Sequence, residues 1–153
     1  MKHGSQDTSP RETILAVDDT PENIDLIKGI LSDKYLIQAA VNGQMALNIV
    51  EKKKPDLILL DIQMPVMDGY EVCTILHSSH TTRDIPIIFL TAMTDSGNEM
   101  KGLSLGAVDY ITKPINVAIL KERVNTHLEL SSSRKLLRKK NEALEEKINK
   151  RTR

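Results

Sequence analysis

The sequence predicts an α/β fold in which a parallel five-stranded sheet is covered by helices on both faces. Short apolar runs alternate with longer segments of helical periodicity five times along the 153 residues. Two of the runs, Leu57–Leu60 and Pro86–Leu90, are apolar throughout, which is typical of central parallel strands buried on both faces. Because crossovers between parallel strands are right-handed, this alternation predicts a doubly wound sheet.

Strands and helices are predicted in strict alternation. The strand candidates are Ile14–Val17, Tyr35–Ala40, Leu57–Leu60, Pro86–Leu90 and Val108–Ile111. Thr20 is the expected N-cap of the first helix, with Pro21 at the first helical position. The apolar positions that give this helix one buried face are Ile24, Ile27, Ile30 and Leu31.

The later helices are predicted from their apolar spacing and their stop signals. The second follows a turn at Asn42 and Gly43, and its expected buried stripe comprises Met45, Ala46, Ile49 and Val50. The others are expected over Tyr70–His77, over Asn98–Leu105 with Gly106 as C-cap, and from Ile115 onward. The last helix meets no Gly or Pro before Arg153.

Composition excludes several classes of protein. Aromatic residues make up 3% of the chain and Trp is absent, so a platform for stacking nucleic-acid bases is not expected. One Cys and four His argue against an internal disulfide and against a structural zinc site. Neither a signal peptide nor an apolar run of membrane-spanning length is visible. We therefore expect a cytoplasmic protein with no membrane partner.

Charge is distributed unevenly along a chain whose net charge is zero. Residues 1–116 carry 16 acidic and 10 basic side chains, whereas residues 117–153 carry 5 acidic and 11 basic ones. A basic end can be a nucleic-acid-binding arm or the solvated face of a helix. Apolar residues recur at regular spacing through the basic segment, which favours the helix. We therefore expect no direct nucleic-acid binding by this segment.

Polar residues follow the carboxyl ends of the predicted strands, where parallel sheets bind ligands. They are Asp18 and Asp19 after the first strand, Asp61 after the third, Thr91 after the fourth and Lys113 after the fifth. Two carboxylates ~4 Å apart repel by about 4 kcal/mol at an effective dielectric of 20, so such a cluster favours a bound cation. Carboxylates and water are the ligands of Mg²⁺, and no loop has the calcium-binding pattern. Together with a lysine and a hydroxyl, they form a site suited to phosphoryl chemistry.

Four segments carry a family resemblance. They are Val17-Asp18-Asp19, Leu60–Gly69, Leu90-Thr91-Ala92 and Tyr110–Pro114. Taken in order, they resemble the receiver domain of bacterial response regulators, and the similarity runs from about Thr13 to His127. The resemblance implies a flavodoxin-like sheet with strand order 2-1-3-4-5 and a cis bond between Lys113 and Pro114. It also implies a regulatory switch that catalyses only its own phosphorylation and dephosphorylation.

The resemblance implies a role for each residue at the site. Asp61 is the implied phosphoacceptor, and its donor is a histidine kinase or a phosphotransfer protein. The resemblance also implies a Mg²⁺ site, at which Mn²⁺ could substitute. Its implied ligands are the carboxylates of Asp19 and Asp61, the backbone carbonyl of Gln63, and Asp18, which acts largely through water. The residues implied to contact or make room for the phosphoryl group are Thr91, Lys113 and Ala92. The implied switch residues are Thr91 and Tyr110, which pass the change to helix four, strand five and helix five.

The C-terminal helix has a heptad pattern that predicts a parallel coiled-coil homodimer. Its seam comprises Leu130, Leu137, Asn141, Leu144 and Ile148. The alternative is an amphipathic helix lying on its own domain. We expect a polar tail over 1–11, a receiver domain over 12–127 and a signalling helix over 128–153 that leads to an output domain the sequence does not contain.

Two other functions remain open. A phosphatase of the haloacid-dehalogenase type also uses a strand-end aspartate with Mg²⁺, but it needs an Asp-x-Asp motif, whereas Asp18 and Asp19 are adjacent. A scaffold that dimerises without phosphorylation is the third possibility, which the presence of Asp19, Asp61, Thr91 and Lys113 disfavours.

Overall fold

The computed structural model describes residues 11–92 and 101–151, with side chains described as far as residue 147. The strands are β1 (Thr13–Val17), β2 (Leu36–Ala40), β3 (Leu57–Asp61), β4 (Ile87–Thr91) and β5 (Asp109–Thr112). The helices are α1 (Pro21–Leu31), α2 (Gly43–Lys52), α3 (Gly69–Ser78), α4 (described over residues 101–104) and α5 (Val117–Arg151). The predicted tail apart from residue 11, and the first residues of the predicted helix Asn98–Leu105, lie outside the described residues.

The sheet has the order β2-β1-β3-β4-β5, and every neighbouring pair is parallel. The predicted α/β class and strand order are confirmed. The order reverses between β1 and β3, whose register pairs Val17 with Leu60. The residues that follow these partners, Asp18 and Asp61, therefore emerge side by side at the carboxyl edge of the sheet.

Two apolar cores hold this edge in place, one on each face of the sheet. Leu15, Leu60 and Phe89 pack with α2 and α3, whereas Ile14 and Leu59 pack with α1 and α5. Because successive strand residues point to opposite faces, the central strands must be apolar throughout. Each fully buried aliphatic side chain contributes about 1.5–3 kcal/mol, so the strand ends rest on a well-anchored base.

Several strand boundaries differ from the sequence-based expectation by one residue. β3 and β4 extend through Asp61 and Thr91, and β5 ends at Thr112 rather than Ile111. The backbone ladder continues through these polar residues, with Asp61 opposite Leu90 and Thr91 opposite Thr112. Backbone pairing does not depend on side-chain polarity, so the loss of the apolar pattern marked the ends too early.

One local prediction on the helices is wrong, and another is confirmed. Met45 does not belong to the buried stripe of α2, because its side chain is 42% exposed. The inward positions are Gly43, Ala46 and Val50, and Met67 fills the space beside Gly43. Thr20 does occupy the N-cap position before Pro21, but its side chain makes no capping hydrogen bond within the described structure.

Helix α5 is divided into a docked part and a projecting part. Leu120, Val124 and Leu128 are buried in the core beside α1. Beyond them, Leu130, Leu137 and other apolar residues are largely exposed. Over the ranges that the structure describes, no helix is both long and apolar enough to cross a membrane.

Candidate functional site

Three aspartates gather at the reversal point of the sheet. Asp18, Asp19 and Asp61 each place a carboxylate oxygen within 4.8 Å of the others. Asp18 is fully buried, Asp61 is 4% exposed and Asp19 is exposed to solvent. The cluster that the strand-end positions predicted is therefore present, with one accessible carboxylate and two enclosed ones.

Lys113, which follows the carboxyl end of β5, contacts two of these carboxylates. Its Nζ lies 3.1 Å from Asp18 Oδ2 and 3.2 Å from Asp61 Oδ1. The Lys113–Pro114 peptide bond is cis, as the family resemblance implied. The backbone N–H of Lys113 also donates to the carbonyl oxygen of Thr91 at 2.7 Å, so the lysine is tied to the end of β4.

The cluster combines burial with an excess of negative charge. Burial, and then the negative charge of Asp18, raise the pKa of Asp61 from 3.8 to about 6 against the opposing effect of Lys113. Burial lowers the pKa of Lys113, but its contacts with Asp18 and Asp61 outweigh this effect, and the net change is upward. Three carboxylates thus face one ammonium group.

Asp18 is held by hydrogen bonds from Thr20 and from the first turn of α1, as well as by Lys113. Its Oδ1 accepts the backbone N–H of Thr20 at 2.9 Å, and its Oδ2 accepts Nδ2 of Asn23 at 3.1 Å. Both oxygens of Asp18 therefore already have donors. Sequence reasoning missed Asn23, which lies five residues after Asp18 in the first turn of a helix. No sequence signal pointed to Asn23, because its contact with Asp18 depends on how α1 begins.

The loop after β3 is built closely around the phosphoacceptor candidate. The backbone N–H of Gln63 donates to Asp61 Oδ1 at 3.3 Å, and the N–H of Gly69 donates to the carbonyl of Ile62 at 2.8 Å. A Cβ at Gly69 would overlap the carbonyl oxygen of Asp61. Asp68 then begins α3 through a capping box with Glu71. The approach of Gly69 to Asp61 explains why glycine is required there.

The remaining predicted residues lie along the same edge of the sheet. Thr91 ends β4 beside the strand that carries Asp61, and its side chain is buried. Ala92 follows it and is exposed. Tyr110 lies on β5 opposite Phe89 and is half-buried. The fold thus places these three residues at or near the predicted edge.

A family model described as "Response regulator receiver domain" matches residues 14–125. The parallel sheet, its acidic edge and this match define a regulatory signalling domain. The chain belongs to the response regulator receiver domain family of two-component systems. Receiver domains bind Mg²⁺ at an aspartate cluster and interact with histidine kinases or phosphotransfer proteins.

Among curated relatives, a Vibrio cholerae protein named "Probable cyclic di-GMP phosphodiesterase" is 44% identical over 149 residues, which are 97% of this chain and 34% of that protein. Response regulator PleD of Caulobacter vibrioides is 41% identical over 114 residues, covering 74% of this chain and 25% of PleD. The chain therefore spans about a third or less of these relatives.

Solved structures agree with the family assignment. The chemotaxis protein CheY4 of Vibrio cholerae is 29% identical with a TM-score of 0.73, and the match covers 76% of this chain and 98% of that one. A response regulator from Chloroflexus aurantiacus is 31% identical with a TM-score of 0.76, and the match covers 78% and 99% of the two chains.

Proposed function

We propose that Asp61 accepts a phosphoryl group from a phosphorylated histidine of a kinase or phosphotransfer protein. The observation that carries the proposal is Lys113, whose ammonium lies within 3.2 Å of both Asp18 and Asp61 in a cluster of three carboxylates. A fixed cation beside a carboxylate nucleophile, with a hydroxyl at the neighbouring strand end, is the arrangement that phosphoryl transfer uses.

In this proposal, residues of the chain itself form the cation site. Asp19 and Asp61 would hold Mg²⁺ directly, with the Gln63 carbonyl as a further ligand. Asp18 would act largely through water because both of its oxygens accept protein hydrogen bonds. Mn²⁺ is the expected substitute, since it also prefers oxygen ligands. When bound, the ion would neutralise charge on the phosphoryl oxygens and on the cluster.

The proposed phosphoryl transfer forms one bond to phosphorus and breaks another. The ionised Asp61 forms a bond from Oδ to phosphorus, the phosphorus–nitrogen bond of the donor histidine breaks, and the leaving imidazole takes up a proton. Lys113 stabilises the negative charge of the transferred group, Thr91 donates its hydroxyl to it, and Ala92 leaves room for it. The acyl phosphate carries a charge near −2 in place of −1.

We propose that this added charge drives the switch. Pulling Thr91 and Lys113 toward one group acts on the pairing of β4 and β5, because the Lys113 N–H donates to the Thr91 carbonyl. Tyr110 lies in the same ladder. The change would then reach the surface formed by α4, β5 and α5 and continue along α5.

The test uses acetyl phosphate with Mg²⁺ and intact-mass measurement of the wild type, Asp61→Asn, and Asp25→Asn as the matched control. Asp25 is an exposed carboxylate on α1. The expected result is one phosphoryl group added to the wild type and to the control, and none added to Asp61→Asn. Absence of an adduct would favour the scaffold. Multiple turnover of a phosphate ester would favour the phosphatase.

We further propose that the signalling helix predicted over 128–153 forms a parallel coiled coil with a second copy beyond Leu128, which itself still packs in the core of the receiver domain predicted over 12–127. Support comes from the seam leucines Leu130, Leu137 and Leu144, which are 46%, 61% and 56% exposed at heptad spacing. Asn141 lies on the same exposed stretch, and the side chain of Ile148 lies outside the described residues. The same helix remains beside its own domain as far as Arg138, which pairs with Asp84 at 3.1 Å, while the seam leucines stay exposed and available to a second copy.

The dimer is tested by sedimentation equilibrium of Leu137→Asp and Leu136→Asp. Leu136 is 54% exposed but lies outside the seam, which makes it a matched control. We expect Leu137→Asp to weaken the dimer at least tenfold, because a desolvated charge at a seam position costs more than 1.4 kcal/mol. Equal effects of the two substitutions would contradict the seam.

We propose that in the full-length protein α5 connects the receiver to an output domain. The match to the Vibrio cholerae relative includes most of α5 and covers 34% of that longer protein. Hydrolysis of cyclic di-GMP by the full-length protein, measured with and without acetyl phosphate, would test an output of that kind.

A further inference from the structure

Asn23 shares an oxygen of Asp18 with Lys113. Asn23 lies on α1 and is half-buried, and its Nδ2 is 3.1 Å from Asp18 Oδ2. The Nζ of Lys113 is also 3.1 Å from that oxygen. The other oxygen of Asp18 is occupied separately by the Thr20 backbone N–H. Asp18 Oδ2 is thus the one oxygen in the described cluster that two side-chain donors reach together.

Once a phosphoryl group is attached to Asp61, its oxygens become additional hydrogen-bond acceptors for Lys113. It already contacts Asp18 and Asp61, and contact with the new oxygens requires its ammonium to move toward them. Asp18 is fully buried, so an oxygen that loses its donor there has no ready access to bulk water. An unpaired buried charge is costly. Without a second hydrogen-bond donor, Asp18 would therefore oppose the movement of the Lys113 ammonium toward the phosphoryl group.

We propose that Asn23 is a positioning residue that keeps Asp18 paired while Lys113 moves to the phosphoryl group. It acts through Asp18 and Lys113 and does not touch the transferred group. This inference rests on the proposed function, because it assigns Asn23 a part in the same transfer. Its predicted effect falls on binding of the phosphoryl group rather than on binding of the metal.

The experiment compares Asn23→Leu with Asn48→Leu. Asn48 is an exposed helical asparagine on α2 that accepts a hydrogen bond from Gln44, so it gives a matched control. Calorimetric titrations measure the affinity for Mg²⁺ alone and then for beryllium fluoride, a phosphoryl mimic, in saturating Mg²⁺. Urea unfolding checks the fold, and Asn23→Ala, which removes the amide with less bulk, is the second variant should leucine disrupt α1.

We expect loss of the Asn23 amide to weaken beryllium fluoride binding about tenfold while Mg²⁺ affinity changes less than threefold. Asn48→Leu should leave both affinities unchanged. Beryllium fluoride affinity within twofold of wild type in a folded Asn23 variant would overturn the inference, and so would equal losses in both titrations, which indicate a merely structural role. Failure of the wild type itself to bind beryllium fluoride would instead overturn the proposed function.

Discussion

Replacing Asp61 by asparagine is expected to make the folded protein more stable at neutral pH. The structure places the Asp61 carboxylate, 4% exposed, beside Asp18 and raises its pKa from 3.8 to about 6. A carboxyl group whose pKa is higher in the folded state binds its proton more tightly there. Ionised Asp61 therefore destabilises the fold, and asparagine removes that charge while keeping a similar shape.

The magnitude follows from the two pKa values. Because one pKa unit corresponds to about 1.4 kcal/mol, the ionised carboxylate costs the folded state about 3 kcal/mol. The cost is absent below pH 3.8, grows as the pH rises, and is complete above pH 6. Asp61→Asn should therefore gain about 3 kcal/mol at pH 7.5, or roughly 6–12 °C in Tm for a chain of this size.

The assay is urea unfolding followed by circular dichroism at pH 4, 6 and 7.5 in magnesium-free buffer. Asp25→Asn, which removes an exposed carboxylate from α1, is the control and should change stability by less than about 0.5 kcal/mol. Added Mg²⁺ should stabilise the wild type more than Asp61→Asn, because the ion offsets the same repulsion. A gain that is independent of pH, or no gain at pH 7.5, would refute the reasoning.

Three further substitutions test the surroundings of the site by urea unfolding. Gln38→Met should raise the free energy of unfolding by about 1 kcal/mol, because the Gln38 Oε1 atom is buried with no hydrogen-bond partner among the described residues. A lower free energy of unfolding would show that this oxygen has a partner. Val66→Asn should also gain about 1 kcal/mol, since the fully exposed Val66 has a φ of 72°, a conformation that asparagine tolerates better. Gly69→Ala should lose at least about 1–3 kcal/mol, because its Cβ would overlap the Asp61 carbonyl; a neutral effect would contradict that close approach.

The general form of the site could be predicted because it depends on topology. Parallel strands bring their carboxyl ends to one edge, so polar residues after apolar runs identify the cluster without knowledge of side-chain geometry. The strand-end pattern links Asp18, Asp61 and Lys113, although they are up to 95 residues apart in sequence. The strand order itself came from the family resemblance and not from periodicity.

The features that sequence reasoning missed depend on details of packing. Met45 has the right spacing for a buried stripe, but the small Gly43 lets Met67 approach and takes the inward position beside Ala46 and Val50. Asn23 carries no pattern of its own, because its contact with Asp18 depends on how α1 begins. The strand ends were marked early because polar side chains can continue a backbone ladder.

The raised pKa of Asp61 and the proposed switch both involve buried carboxylates that share one lysine. In the structure, Lys113 divides one positive charge between Asp18 and Asp61, and the Asp61 carboxylate is not fully compensated. A cation bound by Asp19 and Asp61 would reduce that demand and free Lys113 to follow the phosphoryl group. Since the backbone of Lys113 is hydrogen-bonded to Thr91, its movement would also act on β4 and β5. The buried carboxylates that cost the fold stability are therefore the same groups through which Lys113 would couple the transferred group to β4 and β5.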